Sequence, residues 1–290
     1  MRGGQYQVML LLKCLRNAGH ESELLARTGG PLWSAAESAG FAVHAAEVKE
    51  LWRLSKYATL VHAHDARAHT ISAMASRRKF VVSRRVAFPV KRSVASIWKY
   101  QRAARYLAVS QFVAEQLLAA GVRQEKIDVV HDGVETPNHL ADWQSGGPAI
   151  AVDSTDPAKG RSLIEEAARL AGIPVLFTTN LREDLGRASM FVYISQIEGL
   201  GSAALLAMSM GIPVVASAVP GLSEAVTDGV SGLIVPNEVS EIAAAMRRIL
   251  DQPVLAQTLR SNGRSQIADH FTEDHLLRNT LASYEKALAG

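Results

Sequence analysis

Short apolar runs recur along the whole chain, with longer helix-patterned stretches between most of them. In the first half they fall at 24–26, 41–43, 59–61, 80–82, 106–109 and 127–130. Runs this short suit strands buried on both faces. A parallel strand pair needs a long crossover, usually a helix, so the alternation predicts parallel sheets covered by helices on both sides. The opening segment carries Val8, Leu11, Leu12 and Leu15 at helix-face spacing and ends near Gly19, a C-cap residue type. Ser110 is placed to open a helix over 110–120 that carries Val113, Leu117 and Leu118.

The alternation breaks once, at 138–148, where Gly146, Gly147 and Pro148 make a turn-rich linker. It then restarts, with strands expected at 149–152, 174–178, 190–194, 213–216 and 232–235. Helices are expected at 161–171, 203–210 and about 240–250. The tail from 259 to 288 is helical in pattern, with an interruption at Phe271-Thr272-Glu273. The reading is therefore α/β, with two Rossmann-like doubly wound domains facing across a cleft. The first spans 1–138, a linker 139–148, the second 149–270, and a final helix over 271–290 crosses back to the first. Ligands of such sheets sit beyond the carboxyl ends of the strands, which makes the cleft the expected site.

Composition fits this. With 290 residues and 48% hydrophobic content the chain can bury two modest cores. A net charge of +3 lacks the basic excess of a nucleic-acid binder. The single cysteine, Cys14, excludes an intramolecular disulfide framework and fits a reducing compartment. No apolar run is long enough for a membrane span, and the N-terminus lacks the order of a signal peptide. The expected location is cytoplasmic, or peripheral on the inner face of the cell membrane.

Residues 195–236 carry the most specific signal. They read SQIEGLGSAALLAMSMGIPVVASAVPGLSEAVTDGVSGLIVP. Gly199 and Gly201 flank a strand-to-helix turn, where glycine permits positive φ and close approach of a ligand. The helix that follows offers N–H groups and a positive dipole end to a diphosphate. Glu198 is placed to accept hydrogen bonds from sugar hydroxyls. Glu198-Gly-Leu-Gly201, Ala207-Met208, Gly211-Ile-Pro213, Gly221 with Glu224, and Asp228 through Pro236 strongly resemble the donor-binding half of retaining glycosyltransferases of family four (group 1), which have the GT-B fold. The first half adds weaker matches at Arg2-Gly3-Gly4, at Ala108-Val109-Ser110 and at His131-Asp132-Gly133-Val134.

The resemblance implies a donor site built from Gly3, Gly4, Lys159, Glu198, Gly199, Leu200, Gly201, Ser202 and Leu206. Lys159 would meet the donor phosphates, where a cation offsets charge on the leaving group. Glu198, Lys159 and His64 are the candidate catalytic residues. No metal and no cofactor is expected beyond the nucleotide-sugar donor itself. The sequence departs from the family at three places. Leu206 stands where a second glutamate would clasp the ribose. Asp153-Ser154 stand where Gly-Arg would precede the lysine, with Arg161 or Arg182 as possible substitutes. The strand that the family places ahead of the glycine loop is missing, so the first domain is expected to lack its usual first strand. The second domain is one strand–helix unit short.

The acceptor is expected on the first domain, at His62, His64 and Asp65 at a strand end, and at Arg84 and Arg85 at the next. A pair of arginines there suits an anionic acceptor. Over 91–105, Lys91, Arg92, Lys99, Arg102 and Arg105 mix with Trp98 and Tyr100, a combination suited to anionic lipid headgroups. The plainer expectation is an amphipathic helix packed on the first sheet. Together these imply transfer of a hexose- or heptose-like sugar from a nucleoside diphosphate to a glycan or lipid-linked acceptor, with retention, in cell-envelope polysaccharide or lipopolysaccharide synthesis. The alternatives are a non-catalytic paralogue that binds or scaffolds in a glycan pathway, and a sugar-nucleotide epimerase.

Overall fold

The structure, a computed structural model, describes residues 1, 3–90, 93–137 and 143–290. Arg2, Lys91, Arg92 and the linker positions 138–142 lie outside the described residues. Two compact units form, one of Met1–Gly133 with Glu273–Gly290 and the other of Val134–Thr272.

In chain order the first unit has helix α1 (Gly3–Asn17), β1 (Glu23–Ala26), α2 (Pro31–Ser38), β2 (Ala42–Ala45), α3 (Val48–Leu54) and β3 (Val61–Ala63). It continues with α4 (Ala66–Ala75), β4 (Phe80–Arg84), α5 (Val94–Arg102), β5 (Arg105–Ala108), α6 (Gln111–Ala119) and β6 (Ile127–Val129). All its strands pair in parallel, but not as one sheet. β1 and β2 form one ladder and β3-β4-β5-β6 another. Helix α1 serves both. Val8, Met9 and Leu12 pack with Leu24, Ala26 and Phe41, whereas Leu10, Leu11, Cys14 and Leu15 pack with Val81, Leu107 and Val130. The helix is apolar nearly all round because it is buried on more than one side. Gly19 ends it as expected, at φ 82°, with His20 N–H bonded back to Leu15 O at 2.9 Å. Ser110 caps α6 by accepting from Val113 N at 3.1 Å.

The second unit has β7 (Ala149–Val152), α7 (Arg161–Ala171), β8 (Val175–Thr178), the single turn α8 (Leu181–Asp184), β9 (Met190–Tyr193), α9 (Ser202–Ser209) and β10 (Val214–Ser217). Then come α10 (Pro220–Ala225), β11 (Leu233–Val235), α11 (Val239–Asp251) and α12 (Pro253–His270). One fully parallel sheet results, in the order β11-β10-β9-β7-β8. The chain winds from β7 to β8 on one side and then returns to place β9 on the other. The direction of winding therefore reverses between β7 and β9, and a crevice opens there beyond the strand ends.

Over the described part of 91–105 the amphipathic helix forms as α5; it contains no fully buried residue and meets the sheet through Tyr100, stacked on Tyr106 of β5 with ring centroids 5.4 Å apart. Val94 is 86% exposed and Ile97 and Trp98 nearly half. Arg105 belongs to β5 and is committed to Asp128, with Nε at 2.5 Å and a terminal nitrogen at 2.9 Å. Among the described residues no helix is long and apolar enough to cross a membrane.

The last helix, α13 (Glu273–Ala289), belongs to the first unit, where Leu276 and Ala287 join the core of Val81 and Leu107. Asp128 at the end strand β6 fastens it. Its carboxylate takes Ser283 Oγ and Lys286 Nζ, both at 2.8 Å, besides Arg105. Burial alone would raise the Asp128 pKa, but hydrogen bonds from Arg105, Lys286 and Ser283 bring it down to about 2. A depressed carboxylate stabilises the fold above its unfolded pKa of 3.8 and loses that contribution as pH falls toward 2. Asp128→Asn is expected to cost about 1.5–3 kcal/mol at pH 7, the range for a charge-assisted hydrogen bond. In urea titrations the gap between variant and wild type should shrink as the pH falls from 3.8 toward 2. A gap unchanged with pH would show that the charge of Asp128 does not hold α13.

Candidate functional site

Two loops meet at the crevice of the second unit. The first follows β7 and turns through the 3-10 segment Pro157–Lys159, opened by Asp156, whose carboxylate accepts from Ala158 N at 3.0 Å. Gly160 closes it with φ 61°, and a Cβ there would fall 2.5 Å from Ile194. The second loop follows β9 and runs to α9. Gln196 N–H donates to Ala158 O at 2.9 Å and ties the two together.

The second loop is fixed from behind by a ring of polar groups. Ser195 N–H donates to Ser217 Oγ at 2.8 Å, Ser217 Oγ to Asn237 Oδ1 at 2.5 Å, and Asn237 Nδ2 back to Ser195 O at 3.1 Å. From in front, α10 presses on it. A Cβ on Gly221 would stand 2.3 Å from Glu198 O, so only glycine permits that approach. Of the two glycines singled out by sequence, Gly201 takes positive φ, at 91°, and Gly199 does not.

The loops bring Lys159 and Glu198 together. The Lys159 ammonium donates to Glu198 Oε1 in a tight ion pair. Tyr193 OH donates to the same oxygen at 2.7 Å. Burial, and then the Glu198 carboxylate, push the Tyr193 hydroxyl well above the ordinary phenol range, so it stays protonated. Glu198 is 12% exposed and Lys159 29%, so the pair is partly buried but open to a ligand.

The other candidates fall into place around this pair. Ser202 starts α9. Leu200 is buried, so only its backbone can face a donor. Leu206 is half-buried, on a different side of α9 from the buried Ala204, Leu205, Ala207 and Met208. Asp153 is neutralised by Arg161, which also pairs with Glu165 at 2.9 Å and stacks on Phe177 at 4.1 Å. Arg182 pairs with Glu135 at 2.9 Å. Both substitute arginines therefore already hold carboxylates. Gly3 and Gly4 lie in the first turn of α1, in the first unit, and not in a loop ahead of it.

In the first unit the strand-end residues separate. Arg85 donates from Nε to Asp132 at 2.8 Å and stands 3.2 Å from His64 Nδ1. Arg84 points elsewhere, to Tyr100 OH at 2.9 Å and to Phe88 O. Arg84 ends β4 and Arg85 lies just beyond it, and the two hold different partners instead of facing one ligand as a pair. Asp65 is the N-cap of α4, accepting from Ala68 N at 2.7 Å. His62 spends both ring nitrogens, on Tyr284 OH at 2.6 Å and Ser83 Oγ at 2.8 Å. His64 lies against it, with ring centroids 3.9 Å apart and the planes tilted by 34°. Burial and then Arg85 lower the His62 pKa to about 3. Burial, then His62, then Arg85 hold His64 well below the usual imidazole range. Both rings are neutral at pH 7. Because a guanidinium can only donate, His64 Nδ1 accepts and its one proton sits on Nε2. The bonded Asp132 is followed by Gly133, whose backbone pairs with the buried Gln7 amide at 2.8 and 3.2 Å.

Sequence reasoning missed Tyr193, Ser217, Asn237 and Asp132 as parts of these networks. A tyrosine ending a strand five positions before Glu198 was the available signal for the first. Among the described residues no group of three His, Cys, Asp or Glu side chains could hold a metal ion.

Comparison with known proteins gives the lineage. Residues 1–137 match the family described as Glycosyltransferase Family 4 and residues 153–266 that described as Glycosyl transferases group 1. A D-inositol 3-phosphate glycosyltransferase of Mycobacterium avium (strain 104) is 35% identical over 150 residues, half of this chain and 35% of that protein. The chain thus matches only about a third of that curated relative's length. Among solved structures, Anabaena Alr3699/HepE in complex with UDP and glucose superposes with a TM-score of 0.83. It is 17% identical and the match covers 98% of this chain and 96% of that one. The lipopolysaccharide outer core galactosyltransferase WaaB, in its apo form, gives 0.72 at 13% identity, with 98% and 96% covered. The two family matches lie one on each side of the 138–148 junction, and the fold agrees over nearly the whole length: the chain belongs to the group 1 glycosyltransferases and has their GT-B fold.

Proposed function

We propose that the chain transfers a sugar from a nucleoside diphosphate sugar to a glycan or lipid-linked acceptor, with retention of configuration. The observation that carries this is the Lys159–Glu198 pair at the point where the winding of the second sheet reverses, inside the region that matches the group 1 family. Lys159 and the amino end of α9 offer positive charge to a diphosphate, and Glu198 offers acceptors to sugar hydroxyls. The complex of the HepE protein with UDP and glucose supports a uridine donor as the first to try.

In the reaction the acceptor hydroxyl oxygen bonds to the anomeric carbon as the bond to the diphosphate oxygen breaks. The hydroxyl proton passes to the departing phosphate on the same face of the sugar. Lys159 stabilises the charge on the leaving group as it forms. Within the first unit, His64, a neutral donor through Nε2, and Arg85 are the groups assigned to acceptor recognition. No cofactor or metal is assigned a part. Leu206 favours a second reading, a relative that binds the donor without turnover, since leucine cannot accept from a ribose hydroxyl.

Peripheral contact with the inner face of a membrane belongs to the same reading. α5 leaves Val94, Ile97 and Trp98 exposed beside the 60% exposed Phe88, with the Arg102 guanidinium 5.2 Å from the Trp98 ring. An apolar edge with a neighbouring cation fits an anionic lipid surface.

Three outcomes are expected. Glu198→Ala and Lys159→Ala should each weaken binding of the productive nucleotide sugar at least tenfold by calorimetry, with melting temperatures little changed. Retained affinity in both would remove the donor site from this crevice, and tight binding with no transfer to any glycan or lipid acceptor would leave the second reading standing. His62 and His64 ring resonances should stay flat from pH 7.5 to 5, since the unfolded chain but not the native site binds their protons there. Folding stability accordingly declines as pH falls from 6.5 toward 3. A midpoint near 6.5 for either ring would place it outside the buried network. Finally, the protein should sediment with phosphatidylglycerol vesicles and be released by about 0.5 M salt, beyond the screening range of surface charge. Ile97→Glu with Trp98→Glu should abolish this, and wild type left in the supernatant at low salt would end the membrane proposal.

A further inference from the structure

The Glu198 carboxylate is held unevenly. Both of its bonds, from Lys159 and Tyr193, fall on Oε1, and among the described residues Oε2 receives none. The two donors differ in kind. Lys159 is an ammonium on a long flexible stem, itself 29% exposed, at the end of a 3-10 turn. An anionic diphosphate arriving in the crevice would compete for it with Glu198. Tyr193 is fixed. It is the last residue of β9, in register with Ala216 of the neighbouring strand. Its ring stacks on Phe191 with centroids 5.5 Å apart. Gly201, at φ 91°, runs so close that a Cβ there would lie 3.4 Å from the Tyr193 ring.

We infer that Tyr193 is a positioning residue for the sugar subsite: it keeps Glu198 Oε1 in place when Lys159 turns to the diphosphate, so that Oε2 stays aimed for a sugar hydroxyl. The inference rests on the donor reading above. A carboxylate that loses its only cation needs another donor to stay ordered in a partly buried site. The phenol can provide it because burial and Glu198 itself keep the hydroxyl protonated. Phosphate recognition and sugar recognition then become separable. Lys159 serves the first, and Tyr193 serves the second through Glu198.

The test is calorimetric titration of wild type and Tyr193→Phe with UDP and UDP-glucose, followed by the GDP and ADP pairs if uridine fails. Phenylalanine keeps the ring and its stacking and removes only the hydroxyl. Affinity for the nucleoside diphosphate should stay within about twofold, while affinity for the nucleotide sugar falls about tenfold, as loss of one charge-assisted bond implies. In a Glu198→Ala background the same substitution should change neither, since Tyr193 acts only through that carboxylate. Equal weakening of both ligands, or an undiminished effect without Glu198, overturns the inference and leaves the donor site intact. A phenylalanine variant that fails to fold overturns it as well, by placing the role of the hydroxyl in holding the fold. Wild type that binds no nucleoside diphosphate removes the donor reading and this inference with it.

Discussion

A carboxylate that is mostly out of water needs a partner, and the second unit is organised around giving Glu198 two. The loops after β7 and β9 must come within reach of each other, which the parallel order with β7 beside β9 makes possible. They must also approach closely, which requires the absence of side chains at Gly160 and Gly221. The polar ring of Ser195, Ser217 and Asn237 then sets the height of the Glu198 loop above the strand ends. Remove any of these and the lysine and the glutamate lose their common geometry before any ligand is considered.

The first unit solves the opposite problem. Its strand ends hold a half-buried arginine, and the neighbouring imidazoles are kept neutral by burial and by that cation. Asp132 balances Arg85, and Gln7 and Gly133 satisfy each other's polar groups nearby. The histidines thus offer fixed hydrogen-bonding positions and no charge, which suits recognition of hydroxyls better than titration near neutrality.

Much of this was legible in the residues. The α7 bounds follow from the run between Gly160 and Gly172, and both glycines are left-handed where the helix begins and ends. The string 195–236 located the Glu198 loop because several constrained positions recur there in order. Two local features could have been read from the residues. Arg84 ends β4 and Arg85 lies just beyond it, each with its own partner, and an aspartate just ahead of a helix, as Asp65 is, reads as a cap. Others could not. The bond from His62 to Tyr284 joins residues 222 apart, and no local pattern announces it. The split of the first unit into two ladders depends on which strands find partners, a long-range outcome. Helix α5 looked amphipathic, as it is, but its periodicity does not say what its apolar side faces.

The membership of α13 in the first unit has a topological meaning. Chain continuity makes Val134–Thr272 an insertion between β6 and α13 of an otherwise continuous domain. The two ends of the insert lie side by side, since Val134 N–H bonds to Phe271 O at 2.9 Å and Val134 bridges to Thr272 in parallel. Inserts with adjacent ends can be excised or re-joined without stretching either body. The second unit is therefore the part of the chain that could be cut out whole as one contiguous peptide, whereas the first exists as a single polypeptide only if its two pieces are spliced or circularly permuted together.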